Sequence, residues 1–311
     1  MVLAVDRAHR GAVRLLCGVD GSAIGPQVAD VAGHLAAGLG AGLTLMRVVP
    51  AGTFPAPIVG LTVPIAPDAA NGEAGRALQG LDSLGERVAA EHELRPARRL
   101  ESGNAGEQLL AAAQDGAYDM IVIGRARRGR LGDAFLGETR KRLVHRAACP
   151  VMLVPPDVPT PAYDEIAVAY DASAPAGEAV AVAARLASQL GDVLTIIHVL
   201  PDPRWCGRSV AAMVRWTEDT VRAAAGASDL ELRHLTAHAR PAVDLQRTLD
   251  PRGSVLVVTP APMRSAWGSV LRPDVGRAVL KRAVAPVVVV PAGAGLGSST
   301  PPLQSVIGGR R

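Results

Sequence analysis

The chain has 311 residues, 49% of them apolar and only 3% aromatic, with a formal net charge of +4 and a pI near 9.3. This length accommodates two ordinary domains, and so few aromatics point to cores of Val, Leu, Ala and Ile, as in α/β sheets, rather than to β-sandwiches. The weak basic balance, without a dense basic face interleaved with aromatics, argues against nucleic acid as a partner. No N-terminal apolar stretch is long enough for a signal peptide or a membrane span, so a cytoplasmic location and no membrane partner are expected.

Residues 1–11 are mixed and charged and read as a loose tail. The first strand is expected over 12–19 (AVRLLCGV), closing on Asp20-Gly21-Ser22. Residues 27–39 follow with Val28, Val31, Leu35 and Ala36 at helical spacing, and with Gly38, Gly40 and Gly42 as stop signals. A second strand over 43–49 (LTLMRVV) ends at Pro50. This is βαβ grammar, in which the helix lets two strands run parallel. The stretch 50–71 carries Pro55, Pro57 and Pro64 and reads as a long irregular connection, a kind usually functional or mobile. An amphipathic helix over 75–93, a short strand over 97–101 and a helix opening at Gly103-Asn104-Ala105 complete the lead-in to the next strand.

That strand, 120–123, opens the segment with the most local information: MIVIGRARRGRLGDAFLGETRKRLVHRAACPVMLVP. A short apolar run, doubly buried by its composition, gives way to a loop with Gly124, Gly129, Gly132 and Gly137. A helix over 138–148 and a last strand over 151–154 follow. A strand that ends in a glycine loop and re-enters a helix presents backbone N–H groups above the sheet, which is the geometry of a phosphate cradle.

After the proline-rich linker PPDVPTPAYDE the grammar restarts. Asp171-Ala172-Ser173 repeats Asp20-Gly21-Ser22, and Leu194-Thr195 repeats Leu43-Thr44. Ala285-Pro286 repeats Cys149-Pro150. Strands are expected over 166–170, 193–200, 230–236, 254–258 and 287–290, with a helix over 178–190. The second copy is the shorter, and its loss is expected in the loop and helix after its second strand. The chain is thus two copies of one domain, 12–156 and 163–291, followed by a Gly/Ser/Pro-rich tail, 292–311, that is expected to be disordered.

Cys17, Cys149 and Cys206 lie in unrelated settings and read as buried thiols. No metal-ligand spacing, paired carboxylates or Ser/His/Asp order stands out, so no metal and no catalytic residue is assigned. His145 and His198 read as packing or surface residues. Arg140, Lys141 and Arg142 read with the loop arginines as a solvated face.

A strand ending in Asp-Gly-Ser, a strand of LTLxxVV type, and a glycine loop leading through a helix to CPVxxV together resemble the universal stress protein family. The tandem arrangement is similar to its two-domain members. The resemblance implies an α/β fold: two tandem doubly wound open sheets, each of five mostly parallel strands in the order 3-2-1-4-5, with helices on both faces. It also implies a non-catalytic regulatory or protective role. Some members bind ATP at the carboxyl ends of the strands, the switch point of such a sheet.

In the family's ATP-binding pattern the first glycine falls on Gly124 and the second on Arg127, the third on Gly137, and the Ser/Thr position on Glu138. The resemblance further places the adenosine against Asp20 and near Val48. Asp20, Val48, Gly124, Arg125, Arg127, Gly137, Glu138 and Thr139 are therefore the candidate nucleotide residues, for ATP or AMP, with Mg as an accompanying ion. Arg125, Arg127, Arg128 and Arg130 offer guanidinium groups to phosphate oxygens. Glu138, at a helix N-terminus that favours negative charge, is expected to fill the anion site itself.

In the second copy Thr259 and Pro262 take the first two glycine positions, and Pro273 and Asp274 the next pair. Prolines remove donors and φ freedom, so no nucleotide is expected there. Asp20 and Asp171 can also be read as simple turn residues. The alternative to a nucleotide sensor is a nucleotide-free interaction scaffold with both sites degenerate. The family's dimer contact, made through the last strand, implies pairing of the two copies through 151–154 and 287–290. A homodimer and a regulatory protein partner stay open.

Overall fold

The computed structural model describes residues 13–52, 72–115, 118–125, 137–156, 158, 163, 165–190, 193–200, 208–226, 230–238, 255–262, 280 and 285–293. Most of the connection 50–71, the arginine-bearing loop 126–136 and the tail from 294 lie outside the described residues. Cys206, Pro273 and Asp274 do as well.

The first copy runs β1 (Arg14–Val19), α1 (Gly25–Gly38), β2 (Gly42–Val49), α2 (Glu73–His92), β3 (Ala97–Ser102), α3 (Ala105–Asp115), β4 (Met120–Gly124), α4 (Glu138–Arg146) and β5 (Val151–Val154). The second runs β6 (Glu165–Tyr170), α5 (Ala174–Leu190), β7 (Val193–Leu200), α6 (Arg208–Ala225), β8 (Leu232–His238), β9 (Val255–Pro260) and β10 (Val287–Val290). The ten strands form one continuous sheet in the order β3-β2-β1-β4-β5-β10-β9-β6-β7-β8. Each half reads 3-2-1-4-5 from its outer edge. Every pairing is parallel except β5 with β10, which is antiparallel.

The strands are short apolar runs because both faces of the sheet are covered. Alternate residues feed two cores. Leu15, Cys17, Leu45 and Val122 face α1 and α2, and Val168, Ile196 and Val258 continue that core beneath α5. Leu16, Met46, Ile121 and Ile123 face α3 and α4 on the other side. Cys17 and Cys149 are buried, and burial pushes the Cys17 thiol up to about 12. Among the described residues no helix is long and apolar enough to cross a membrane.

Two expectations about the second copy are corrected. Its helix after the second strand is retained: α6 has 18 residues against 20 in α2. The shortening lies in the preceding connection, 50–72 in the first copy and only 201–207 in the second. The last residue of β9 is Pro260, not Val258. Val290 pairs with Pro260 as Val154 pairs with Gly124, and Ala261 N donates to Val290 O as Arg125 N donates to Val154 O. Pro260, rather than Thr259, therefore stands where the first copy has its first loop glycine.

Both copies leave their first strand through the same turn. Asp20 Oδ1 accepts from Ser22 N, and Asp171 Oδ1 from Ser173 N, each at 3.0 Å. Gly21 has φ +70°, in the left-handed region, and Ala172 takes the same conformation at +63°. Gly21→Ala is expected to cost about 1–2 kcal/mol, the usual penalty for a Cβ in that region. An added Cβ would also meet Arg47 Nη2 at 2.7 Å, but that group is the movable end of a long side chain. The loss is thus conformational and is expected to persist in an Arg47→Ala background, as measured by urea denaturation of all four proteins.

Candidate functional site

In an open parallel sheet the ligand crevice lies where the chain direction reverses, between strands whose crossovers leave on opposite faces. Here β1 lies between β2 and β4, with α1 on one face and α3 on the other. A cavity of about 280 Å³ opens above their carboxyl ends. Its floor is Gly18, Met46, Val48 and Ile123, and its walls come from Ile24 and Val28 of α1 and from Ala105 and Leu109 of α3. The rim is Asp20, Gly124, and the start of α4 from Gly137 to Arg140.

Small residues make the space. A Cβ on Gly18 would stand 3.1 Å from both Ile123 and the Leu109 methyls, and one on Gly124 would stand 2.7 Å from Ile24. Gly124 thus lets Ile24 and Val28 pack closely over the end of β4. Gly137 serves a related purpose. Its φ of −53° is open to any residue, but a Cβ there would lie 2.7 Å from Arg140 Nη2. Its glycine makes room for a guanidinium.

Of the eight candidate residues, Asp20, Val48, Gly124, Gly137, Glu138 and Thr139 line this one cavity. Arg127 lies outside the described residues, with Arg128 and Arg130. Arg125 is turned elsewhere: its Nη1 donates to the Leu280 carbonyl of the second copy at 3.1 Å. Asp20 uses Oδ1 in its turn, and among the described residues Oδ2 has no hydrogen bond. A carboxylate oxygen so placed can accept from a hydroxyl.

Glu138 does not fill the anion site. Its side chain is 74% exposed and points to Arg142, 3.7 Å away, which also pairs with Glu107. The pull of this arginine along the helix explains why the carboxylate leaves the N-terminus. Among the described residues no side chain caps the first turn of α4. Its first N–H groups have no intrahelical acceptor, and the helix dipole favours an anion there.

Arg140 was expected on a solvated face and is instead half-buried at the rim. Its Nη1 donates to Gly124 O at 3.1 Å, while Nε is buried with no partner among the described residues. Burial lowers its pKa, and attraction to Asp20 works the other way. The one sequence signal for it is Gly137 three residues earlier, on the same helical face.

A second group missed from the sequence lies between α1 and α2, where Asp30, Glu91 and His92 bring potential ligand atoms within 4.8 Å of one another. Arg87 already supplies the cation there. Its Nη2 sits 2.7 Å from Asp30 Oδ1 and its Nε 3.7 Å from Glu91.

The family model described as the universal stress protein family matches residues 13–155 and again 162–291. The chain belongs to the universal stress protein family, as a tandem, two-domain member. A universal stress protein of Mycobacterium tuberculosis is 34% identical over 87 residues, a stretch spanning 27% of this chain and 30% of that relative. Among solved structures, a universal stress protein from Archaeoglobus fulgidus superposes with a TM-score of 0.65 at 18% identity, covering 89% of this chain and 95% of that one. A Pseudomonas aeruginosa structure gives a TM-score of 0.56 at 17% identity, covering 90% and 93%. At such identities the likeness establishes the shared fold.

The corresponding place in the second copy is built differently. Ala169 stands where the first copy has Gly18, Ala172 where it has Gly21 and Pro260 where it has Gly124. On the opposite face, in the register position of Arg47, His198 is fully buried. Its Nε2 lies 3.0 Å from His234 Nδ1, and Tyr170 and Trp216 stack alongside. Burial, aided by His234, lowers His198 from 6.5 to about 4, and burial lowers His234 against the pull of Glu218, 3.8 Å away.

The folded state thus resists a proton that the unfolded chain accepts. Stability is expected to be complete above pH 6.5 and to fall as pH drops from 6.5 towards about 4. His198 contributes roughly 3 kcal/mol to that fall. Urea denaturation at pH 7.5, 5.5 and 4.5 is the check. His198→Phe should flatten the profile, and an unchanged profile would place its source elsewhere.

Proposed function

We propose that the first copy binds an adenine nucleotide, ATP with Mg or AMP, in the cavity above β1, β2 and β4, and that the second copy binds none. The carrying observation is convergence: six residues from four separate segments of the sequence line a single cavity at the switch point of the sheet. The base and ribose would lie over Val48 and Asp20, with Oδ2 accepting from a ribose hydroxyl. The phosphate end would lie at the uncapped start of α4. On this reading the protein is a non-catalytic regulator in the cytoplasm, and occupancy changes the surface that a protein partner meets.

Calorimetric titration and thermal shift with ATP-Mg and with AMP test this. At a free ligand concentration of 100 Kd, stabilisation of about 2.7 kcal/mol is expected. Asp20→Ala should lose most of it, and nucleotide should be recovered intact after long incubation. Absence of any shift, together with nucleotide-free protein on purification, would favour the scaffold reading, in which both sites are degenerate.

A further inference from the structure

We propose that Arg140 is the residue that reads phosphate in the first-copy cavity, gripping the phosphate group nearest the ribose and so selecting nucleotides over nucleosides. This rests on the nucleotide reading above and assigns the discriminating group within it. The guanidinium is anchored at one corner only. Its Nη1 is held by the Gly124 carbonyl, and this is its one hydrogen bond among the described residues. The opposite edge carries Nε, buried with no partner among those residues, and Nη2, which passes over the bare Cα of Gly137. That edge is the fork with which arginine takes two oxygens of a phosphate at once.

A buried N–H with no acceptor is costly to leave unpaired, so an acceptor brought to this rim by a ligand would relieve that cost. The acceptor must be an anion small enough to sit between the end of β4 and the start of α4. There the N–H groups of the first helical turn add to the guanidinium. Neither acidic residue of the rim forms a hydrogen bond with this guanidinium among the described residues: Asp20 attracts it only through its charge, with Oδ1 used in its turn, and the Glu138 side chain faces Arg142. Arg140 is moreover the one cationic side chain among the described residues that line the cavity.

The test titrates AMP and adenosine into the full chain and into Arg140→Gln. If Arg140 reads phosphate, the substitution should weaken AMP about 10–100-fold, as expected for loss of a charged bidentate contact, and leave adenosine within about twofold. Arg140→Lys should recover part of the loss. Gly137→Ala provides a second route that keeps the charge. Its backbone suits alanine, but its Cβ displaces the guanidinium, so it should weaken AMP and spare adenosine. Equal losses for AMP and adenosine would make Arg140 a structural residue and overturn the inference. Unchanged AMP affinity in both variants would overturn it while leaving the nucleotide reading intact. Failure of the parent protein to bind either compound would overturn both.

Discussion

The antiparallel seam between β5 and β10 is the interaction on which the rest of the molecule depends. A five-stranded parallel sheet ends on a strand as apolar as its interior, and an uncovered apolar edge recruits other chains. Here the edge of each copy is the partner of the other: Val287, Val288 and Val289 register with Leu153, Met152 and Val151. All of these side chains are buried, so the two apolar edges become the centre of one sheet. The outer edges, β3 and β8, are of a different kind. Each carries charge at its surface: Arg99 pairs with Glu101 on β3, and Arg233 of β8 pairs with Glu231 just before it, which disfavours further strand pairing.

With that seam in place, the same Asx turn leaves the first strand of each copy. What differs is bulk. The first copy keeps hydrogen at Gly18 and Gly124, where methyl groups would collide with Leu109 and Ile24. The second places Ala169 and Pro260 there and buries an aromatic and imidazole cluster on the other face. One copy holds open space at the switch point. The other has spent the same positions on packing and on a strand that no longer ends in a glycine.

Much of the fold was legible because its strands are short apolar runs bounded by Gly, Pro or Asp, and because the second copy repeats the first. The seam strands and β7 fall where their composition places them. Helix α6 was missed although its pattern was legible. Its inward positions, Val210, Met213, Thr217, Val221 and Ala224, recur at helical spacing, and Thr217 and Thr220 satisfy their hydroxyls on backbone carbonyls one turn back. The shorter length of the second copy was assigned to this helix instead of to the connection before it. The end of β9 was misplaced by two residues for a different reason. A proline reads as a strand stop, yet at the last position of a strand its missing N–H costs no ladder bond.

The candidate site was legible in its small residues and misread in its charged ones. Glycines report on backbone and space, which the fold determines locally. A charged side chain reports on whatever lies within reach of its tip, and that is a tertiary fact. Glu138 has the right sequence position for an anion site, but Arg142, one helical turn on, draws it outward into solvent. Arg140 has the composition of a solvated face, but the glycine three residues before it leaves a groove into which the guanidinium lies. On the proposed reading, the pattern Gly137-Glu138-Thr139-Arg140 serves an anion by a different means from a Gly-Ser/Thr pair. The backbone N–H groups are the same. The hydroxyl is exchanged for a guanidinium that arrives from the helix rather than from the loop.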